Sequence, residues 1–244
     1  MRLVIFGATS AIAHETAKCF ASDGADIVLA GRDATRLEAN AADLKVRGAG
    51  KVETLVADLA DVSTHPKLIE DATSVLGGID AALIAHGTLG DPKLSEESVD
   101  EVMLQMQTNA LSYMSLMTLL ANMMQPRRSG CICVISSVAG DRGRGRNYVY
   151  GSAKAAVTAF SSGLRNRLSG SGVSVVTIKS GPIDTPMTAT HRKTPLFGKA
   201  DQTGRRIYEA MLKGEDVVYV PWFWGLIMLV IRALPEGIFK KTKL

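Results

Sequence analysis

Short runs of almost entirely apolar residues alternate with longer stretches of helical pattern along the whole chain. The apolar runs are rich in β-branched side chains and lack apolar/polar alternation, which is typical of parallel strands buried on both faces. We therefore predict an α/β fold in one domain over residues 1–244, with a doubly wound parallel sheet of seven strands flanked by helices. The predicted strands are residues 3–6, 26–29, 52–57, 79–85, 131–136, 173–178 and 217–220.

The segments with the most distinctive side chains all follow predicted strands. In a doubly wound sheet the strand order reverses once, and the reversal leaves a crevice at the carboxyl ends of the strands where ligands bind. We therefore expect six loops to meet at one site. They begin at residues 7, 31, 58, 86, 137 and 181.

The composition of the 244-residue chain narrows the class of protein. Hydrophobic residues make up 46% and charged residues 21%, which excludes intrinsic disorder as the main state. The net charge of +4 is small and most basic residues are scattered, so we expect no nucleic acid partner. The first predicted strand follows Met1 almost directly and leaves no room for an export signal, so we expect a cytoplasmic protein.

Two of the three cysteines, Cys131 and Cys133, lie in the fifth predicted strand. A metal site would need further cysteine or histidine ligands at suitable spacing, and the sequence offers none near them. We interpret both as apolar side chains of a buried strand and expect no metal site.

The first predicted strand leads into a turn of small residues that opens a helix. Small side chains let the backbone approach a pyrophosphate at the amino end of that helix. Ala11 and Ala13 stand where a glycine fingerprint has glycines, so an ordinary strand-to-helix turn stays open as the alternative. The predicted phosphate-binding residues are Gly7, Thr9, Ser10, Ala11 and Ile12.

The residues after the second and third strands bear on the choice of dinucleotide. A protein that binds NAD places a carboxylate after the second strand for the ribose 2′-hydroxyl, whereas this chain has Gly31 followed by Arg32. Because arginine favours a 2′-phosphate, we predict NADP(H); the alternative is that Arg32 only stabilises its loop. Asp58 is predicted to accept from the adenine amino group or to cap the following helix.

A candidate proton relay lies in the second half of the chain. Tyr150 and Lys154 are one helical turn apart, and Ser137 ends the fifth predicted strand. A free tyrosine titrates near a pKa of about 10, and a neighbouring ammonium lowers that value. We predict that Tyr150 exchanges a proton with a carbonyl oxygen, that Ser137 orients this oxygen, and that Lys154 acidifies Tyr150 and binds the nicotinamide ribose.

Together these motifs resemble the short-chain dehydrogenase/reductase family. The shared features are the small-residue turn, Asn109 within a helix, Ser137 thirteen positions before Tyr150, the Tyr-xxx-Lys spacing and Gly-Pro-Ile-Asp-Thr at 181–185. The resemblance extends from residue 1 to about residue 185. It implies a single-domain Rossmann fold and an NAD(P)-dependent oxidoreductase.

The resemblance also implies roles for individual residues. Asn109 would distort its helix and hold a water in a proton relay with Lys154, and Thr185 would contact the carboxamide side of the nicotinamide. His86 replaces a usual asparagine, and Ser180 replaces a usual proline. Beyond the first turn and Arg32, the implied cofactor contacts are Asp58, Leu59, His86, Gly87, Tyr150, Lys154, Gly181, Ile183 and Thr185.

Two less ordinary segments follow. Residues 141–147 form a basic loop, DRGRGRN, between Ser137 and Tyr150; it is either a solvated loop or an anion site for a phosphorylated substrate. Residues 217–231 are uncharged, and basic residues follow them. We interpret the tail, 217–244, either as an apolar extension at a membrane surface or as a strand and a helix in a subunit interface. Its aromatic and basic residues include Trp222, Phe223, Trp224, Arg232, Lys240, Lys241 and Lys243.

The loop and the tail resemble the decaprenylphosphoryl-2-keto-pentose reductase branch of the family. That branch implies a keto sugar joined through phosphate to a polyprenol as the substrate. We predict an NADPH-dependent reductase of a small-molecule carbonyl that forms a homodimer or homotetramer. The alternatives are an NADP-binding scaffold or regulator with lost catalysis, and a reductase of ordinary metabolites whose tail serves dimerisation.

Overall fold

Seven parallel strands form the central sheet of the computed structural model, which describes residues 1–190 and 192–242; Lys243 lies outside them. The described residues form nine strands in all: β1 (Arg2–Phe6), β2 (Asp26–Gly31), β3 (Val52–Val56), β4 (Ala81–Ile84), β5 (Gly130–Ser137), β6 (Val173–Ser180), β7 (Ile183–Asp184), β8 (Gly198–Lys199) and β9 (Val217–Val220). The order β3-β2-β1-β4-β5-β6-β9 reverses between β1 and β4 and confirms the doubly wound sheet, while β7 and β8 pair separately.

Helices cover both faces of this sheet. They are α1 (Ala11–Ser22), α2 (Ala34–Val46), α3 (His65–Leu76), α4 (Pro92–Glu97), α5 (Val99–Met106), α6 (Ser112–Arg127), α7 (Tyr148–Arg167), α8 (Ala200–Lys213), α9 (Trp224–Ala233) and α10 (Glu236–Phe239). A π-helical turn, Gln107–Leu111, joins α5 to α6. The helices α1, α2 and α8 contribute to the core on one face, and α3, α6 and α7 to the core on the other.

The first strand shows why the strand sequences are apolar at every position. Leu3 and Ile5 pack into the core on one face, and Val4 and Phe6 pack into the core on the opposite face. All four side chains are fully buried. A strand between two helical layers has no solvent-facing side, so the sequence keeps no polar alternation.

The two cysteines of β5 behave as predicted for a buried strand. Cys131 and Cys133 are both buried and belong to the same core as Leu3 and Ile5. Burial raises the pKa of the Cys131 thiol to about 11. Both thiols are therefore protonated at neutral pH and act as apolar side chains.

The predicted C-terminal extension begins inside the sheet. Val217–Val220 is the edge strand β9 and pairs with β6. The helix α9 then packs Trp224, Met228 and Ile231 onto Val138 and Phe239 in a third, smaller core. In residues 1–190 and 192–242, no helix combines the length and apolar character that crossing a membrane requires.

Candidate active site

A cleft of about 490 Å³ lies at the carboxyl ends of the strands, where the strand order reverses. Its volume is within the range of about 300–1,000 Å³ that ligand sites have. Thirteen of the residues predicted to contact a cofactor line it: Gly7, Thr9, Ser10, Ala11, Ile12, Arg32, Asp58, Leu59, His86, Gly87, Tyr150, Lys154 and Thr185. The structure therefore brings together loops that are far apart in the sequence.

The turn between β1 and α1 needs a glycine at one position only. Gly7 has φ +85°, and a Cβ added there would lie 2.4 Å from the backbone nitrogen of His86. Ala11 is the first residue of α1 and has a negative φ, and Ala13 is fully buried in the core. Alanine at these two positions causes no backbone strain, so the departure from the glycine fingerprint leaves the turn intact.

The amino end of α1 is available to an anion. Ser10 occupies the N-cap position, and its side chain makes no capping hydrogen bond. The first backbone N–H groups of a helix have no partner within the helix, and together with the helix dipole they attract a phosphate group. The small-residue turn thus fits a pyrophosphate.

Two arginines line the cleft beyond β2. Arg32 follows the strand directly, and Arg36 lies in the first turn of α2 and donates to the backbone oxygen of Thr9 at 2.8 Å. The nearby carboxylate of Asp33 serves as the N-cap of α2 and accepts from the backbone N–H of Arg36 at 3.0 Å. The side chains that line this end of the cleft are therefore cationic, which suits a phosphate on the ribose.

Asp58 lines the cleft but does not cap the following helix. Its carboxylate accepts from the backbone N–H of Ala60 at 3.0 Å, whereas Asp61 caps the 3₁₀ turn that precedes α3. The capping alternative for Asp58 is therefore wrong. Its contact with an adenine stays a prediction.

Leu59 and His86 join the third and fourth strand ends to α6. The backbone oxygen of Leu59 accepts from the Ser112 hydroxyl, and Nε2 of His86 lies 2.7 Å from the same hydroxyl. Burial and the nearby positive charge of Lys154 hold the pKa of His86 well below its usual range. A neutral imidazole therefore stands where the family pattern has an asparagine.

Tyr150 and Lys154 both face the cleft from α7. The Nζ atom of Lys154 lies 5.8 Å from the centre of the Tyr150 ring and 4.3 Å from that of Tyr113. It donates to the backbone oxygen of Ile135 at 2.9 Å. The tyrosine and the amine thus share one face of the helix, as their spacing predicts.

The predicted acidification of Tyr150 is not seen in this structure. Burial raises the pKa of Tyr150 to about 12, and a hydrogen bond with Ser137 opposes this rise. Burial also lowers the pKa of Lys154 to about 7, so the amine is only partly charged at neutral pH. Desolvation therefore dominates the pKa of both groups, which the spacing alone could not indicate.

Ser137 lies behind Tyr150, at the end of β5. Its hydroxyl accepts from the backbone N–H of Ala139 at 3.1 Å and donates to the backbone oxygen of Ser180 at 3.3 Å. The second of these bonds is long, so the hydroxyl proton could be redirected to a substrate oxygen. The Ser180 hydroxyl donates to the backbone oxygen of Ser136, a bond that a proline in its place could not make.

Asn109 occupies the predicted distortion. It lies fully buried in the π-helical turn, donates to the backbone oxygen of Thr88 and accepts from its backbone N–H, both at 2.9 Å. A Cβ added at Gly87 would lie 2.6 Å from Oδ1 of Asn109 and 3.9 Å from Nζ of Lys154. The amide, the glycine and the amine are therefore neighbours, and the relay role of Asn109 stays a prediction.

Two predicted cofactor residues, Gly181 and Ile183, do not line the cleft. A Cβ added at Gly181 would lie 2.2 Å from the indole nitrogen of Trp224, so this glycine makes room for the tail. Ile183 is buried and pairs with Gly198 in the two-stranded sheet. The loop after β6 reaches the cleft through Thr185 instead. Sequence motifs indicate neither the packing of Gly181 against the tail nor the strand pair of Ile183.

Arg142 of the basic loop is bound to the C-terminal tail. Arg142 donates to the backbone oxygens of Ile231 and Leu234, each at 2.6 Å, and its guanidinium lies 3.7 Å from the centre of the Phe239 ring. It also pairs with Glu236 at 2.9 Å. Of the three loop arginines, Arg146 is the one that lines a small pocket beside Tyr150. Arg142 is therefore not available to a phosphate, and the anion site in the rest of the loop stays a prediction.

Several site residues were missed by sequence reasoning. Arg36 lies four positions after Arg32 at the start of a helix, and this spacing could have indicated that both arginines line the cleft. Ser136 donates to the backbone oxygen of Lys154 at 3.0 Å and so holds α7 against β5, although a pair of serines at a strand end looks like an ordinary turn. Tyr113 lies among apolar neighbours of α6 and gave no signal.

The titration of Lys154 predicts how stability changes with pH. The free amine titrates near a pKa of about 10.4, so between pH 7 and 10 the unfolded chain binds more protons than the folded one, and stability rises with pH. From pH 7 to 9 we expect the free energy of unfolding of the wild type to increase by about 1–3 kcal/mol more than that of Lys154→Met. Urea unfolding at both pH values measures this, and equal increases would contradict the buried amine.

The fold and the cleft define a dinucleotide-binding α/β protein, and comparisons identify its family. A model described as short chain dehydrogenase matches residues 2–196. An uncharacterised oxidoreductase of Mycobacterium tuberculosis H37Rv is 35% identical over 239 residues, which are 98% of this chain and 96% of that protein. An uncharacterised oxidoreductase of Streptomyces coelicolor is 31% identical over 240 residues, 98% of this chain and 94% of that protein.

The fold has close counterparts among solved structures. The crystal structure of levodione reductase superposes with a TM-score of 0.82 at 22% identity and covers 89% of this chain and 95% of its own. This likeness concerns the fold. The chain belongs to the short-chain dehydrogenase family and is an oxidoreductase of that family, whose members use NAD(P)(H).

Proposed function

We propose that this protein is an NADPH-dependent reductase that interconverts a carbonyl and a secondary alcohol. The observation that carries the proposal is the joint position of Tyr150 and Lys154 in a cleft at the strand ends, with Ser137 close enough to Tyr150 to lower the pKa of its hydroxyl. A carbonyl reduction needs a hydride donor on one face of the carbon and a proton donor at the oxygen. NADPH supplies the hydride when it is bound.

Each residue around the carbonyl oxygen has its own role in orienting the substrate or transferring the proton. The Tyr150 hydroxyl donates its proton to the oxygen as negative charge develops there. Ser137 turns its hydroxyl from the Ser180 carbonyl to the same oxygen and orients it. The adjacent ammonium of Lys154 stabilises the tyrosinate that remains, and Asn109 fixes the loop after β4 beside this amine.

The preference for NADP(H) over NAD(H) rests on charge. Arg32 and Arg36 line the cleft beyond β2, and the carboxylate of the neighbouring Asp33 accepts from the backbone N–H of Arg36 at the amino end of α2. A 2′-phosphate beside the Arg32 guanidinium gains charge-assisted hydrogen bonds. A ribose 2′-hydroxyl would not gain these charge-assisted bonds.

For the substrate we propose a keto sugar joined through phosphate to an apolar chain, as in the branch that the loop and tail resemble. Leu104 and Met187 line the cleft with large exposed side chains, which suits an apolar chain. Arg146 lies in the pocket beside Tyr150 and could pair with one phosphate. As in other members of the family, we expect a homodimer or homotetramer.

Turnover with a panel of carbonyl compounds tests the proposal. The oxidation of NADPH is followed with simple ketones, a keto sugar and a prenyl-phosphate-linked keto sugar, and NADH is tested in parallel. We expect turnover with NADPH and the highest kcat/KM with the lipid-linked substrate. NADPH binding without turnover of any substrate would favour the scaffold, and the best kcat/KM with a simple ketone would favour a reductase of ordinary metabolites.

A further inference from the structure

The helix α9 is apolar on two opposite sides. Its buried side packs on the third core. Its other side, here called the outward face of α9, has residues at i, i+3, i+4 and i+7, and all of them are exposed. Leu229 and Val230 are 66% and 63% exposed. The members of the outward face are Leu226, Leu229, Val230 and Ala233.

Such a helix needs a second apolar surface. A helix that is apolar all round is normally buried on every side, because exposed leucine and valine side chains order water around them. Trp222, directly before α9, is 73% exposed and extends the same kind of surface. A contiguous apolar patch of this kind marks an interaction site on an otherwise polar protein surface.

The orientation of the outward face is fixed from the other side. Arg142 binds the backbone oxygens of Ile231 and Leu234 and pairs with Glu236. The indole N–H of Trp224 donates to the backbone oxygen of Leu196 at 3.1 Å. These contacts hold α9 against the loops that contain Arg142 and Leu196, so the outward face points away from them.

The charges near α9 indicate what covers the outward face. Residues 217–244 contain one carboxylate, Glu236, which is already paired with Arg142. Lys240 and Lys241 are exposed, and neither has an ion-pair partner within residues 1–190 and 192–242. A second copy of the same surface would offer these lysines no free carboxylate side chain. Lipid phosphates would offer them an anionic partner. Tryptophan beside apolar and lysine residues is typical of a segment at a lipid headgroup layer.

We propose that the outward face of α9, with Trp222, Lys240 and Lys241, docks on the surface of an anionic lipid bilayer. The helix has 10 residues and is about 15 Å long, half the thickness of a hydrocarbon core, so it lies in the plane of the membrane. The apolar side chains enter the headgroup layer and the lysines pair with phosphates. This docking does not depend on the reductase activity.

Co-sedimentation of the full-length protein with vesicles tests the docking. One set of vesicles is phosphatidylcholine with phosphatidylglycerol, and the other is phosphatidylcholine alone. We expect the wild type to bind the anionic vesicles about 30-fold more strongly, the difference that two lysines near an anionic surface supply. Lys240→Glu with Lys241→Glu should remove this preference, and Leu229→Glu with Val230→Glu should abolish binding to both.

Val46→Glu is the matched control, because Val46 is an 89% exposed apolar residue of α2 and its replacement should leave vesicle binding unchanged. Circular dichroism and NADPH binding show whether each variant is folded. A wild type that stays in the supernatant with both lipids overturns the proposal. Sedimentation velocity then tells whether Leu229→Glu with Val230→Glu separates subunits, which would assign the outward face to a second copy.

Discussion

Tyr150→Phe is expected to lower kcat for carbonyl reduction by about 10²–10⁴-fold, the range that a positioned proton donor contributes. The change removes one hydroxyl from a ring that lines the cleft between Ser137 and Lys154. Phenylalanine keeps the ring, so the shape of the cleft and the affinity for NADPH should stay close to those of the wild type. Steady-state rates and fluorescence titration of NADPH measure the two quantities.

Tyr148→Phe serves as the matched control for this experiment. Tyr148 lies two positions earlier in the same helix and is 43% exposed, so it loses the same hydroxyl without facing Lys154. We expect its kcat to stay within about threefold of the wild type. Full turnover by Tyr150→Phe would refute the assignment of the proton donor, and an equal loss in both variants would point to a general disturbance of α7.

The fold could be predicted because burial constrains every strand position. Residues 3–6 are all apolar because two of their side chains face each core. The side chains of β5, including its two cysteines, are divided between the two cores in the same way. Because the strands are parallel, the loops at their carboxyl ends meet at one edge of the sheet. The strand limits were less well determined: β6 runs to Ser180 rather than residue 178, because Lys179 finds a buried partner in Asp141.

The site could be predicted where its residues are close in sequence. Tyr150 and Lys154 share a helix face by spacing alone, and the turn at Gly7 is local. The contact of Arg142 with Leu234 joins residues 92 positions apart, and no local pattern indicates it. This contact makes Arg142 unavailable to a phosphate, and Gly181 likewise faces Trp224 of the tail rather than a cofactor.

The pKa of Tyr150 could not be predicted because burial is a property of the folded cleft. The sequence shows an amine one turn away and predicts acidification, whereas desolvation raises the pKa to about 12. An oxidised nicotinamide ring is positively charged, and a positive charge nearby lowers the pKa of a phenol. A bound cofactor of this kind would therefore oppose the effect of burial on Tyr150.

Arg32→Asp is expected to raise the Kd for NADPH by about 100-fold, since it removes charge-assisted hydrogen bonds to the 2′-phosphate and adds repulsion. The Kd for NADH should change by less than about threefold or fall, because the new carboxylate can accept from a ribose 2′-hydroxyl. Fluorescence titration with both cofactors measures the ratio. Arg205→Asp is the control, since Arg205 is a 79% exposed arginine of α8.

A change at Arg36 is expected to have a different effect from the change at Arg32. Its guanidinium already donates to the Thr9 backbone in the phosphate turn, so Arg36→Ala should weaken NADPH and NADH together, through the shape of the turn. Arg32 makes no hydrogen bond within residues 1–190 and 192–242 and would act on the 2′-phosphate alone. We therefore expect Arg32 to determine the selectivity for NADPH over NADH, and Arg36 to determine the affinity for both cofactors. Equal affinity of the wild type for the two cofactors would contradict the assignment of NADP(H), because two cationic side chains at this end of the cleft would then have no anionic group to distinguish.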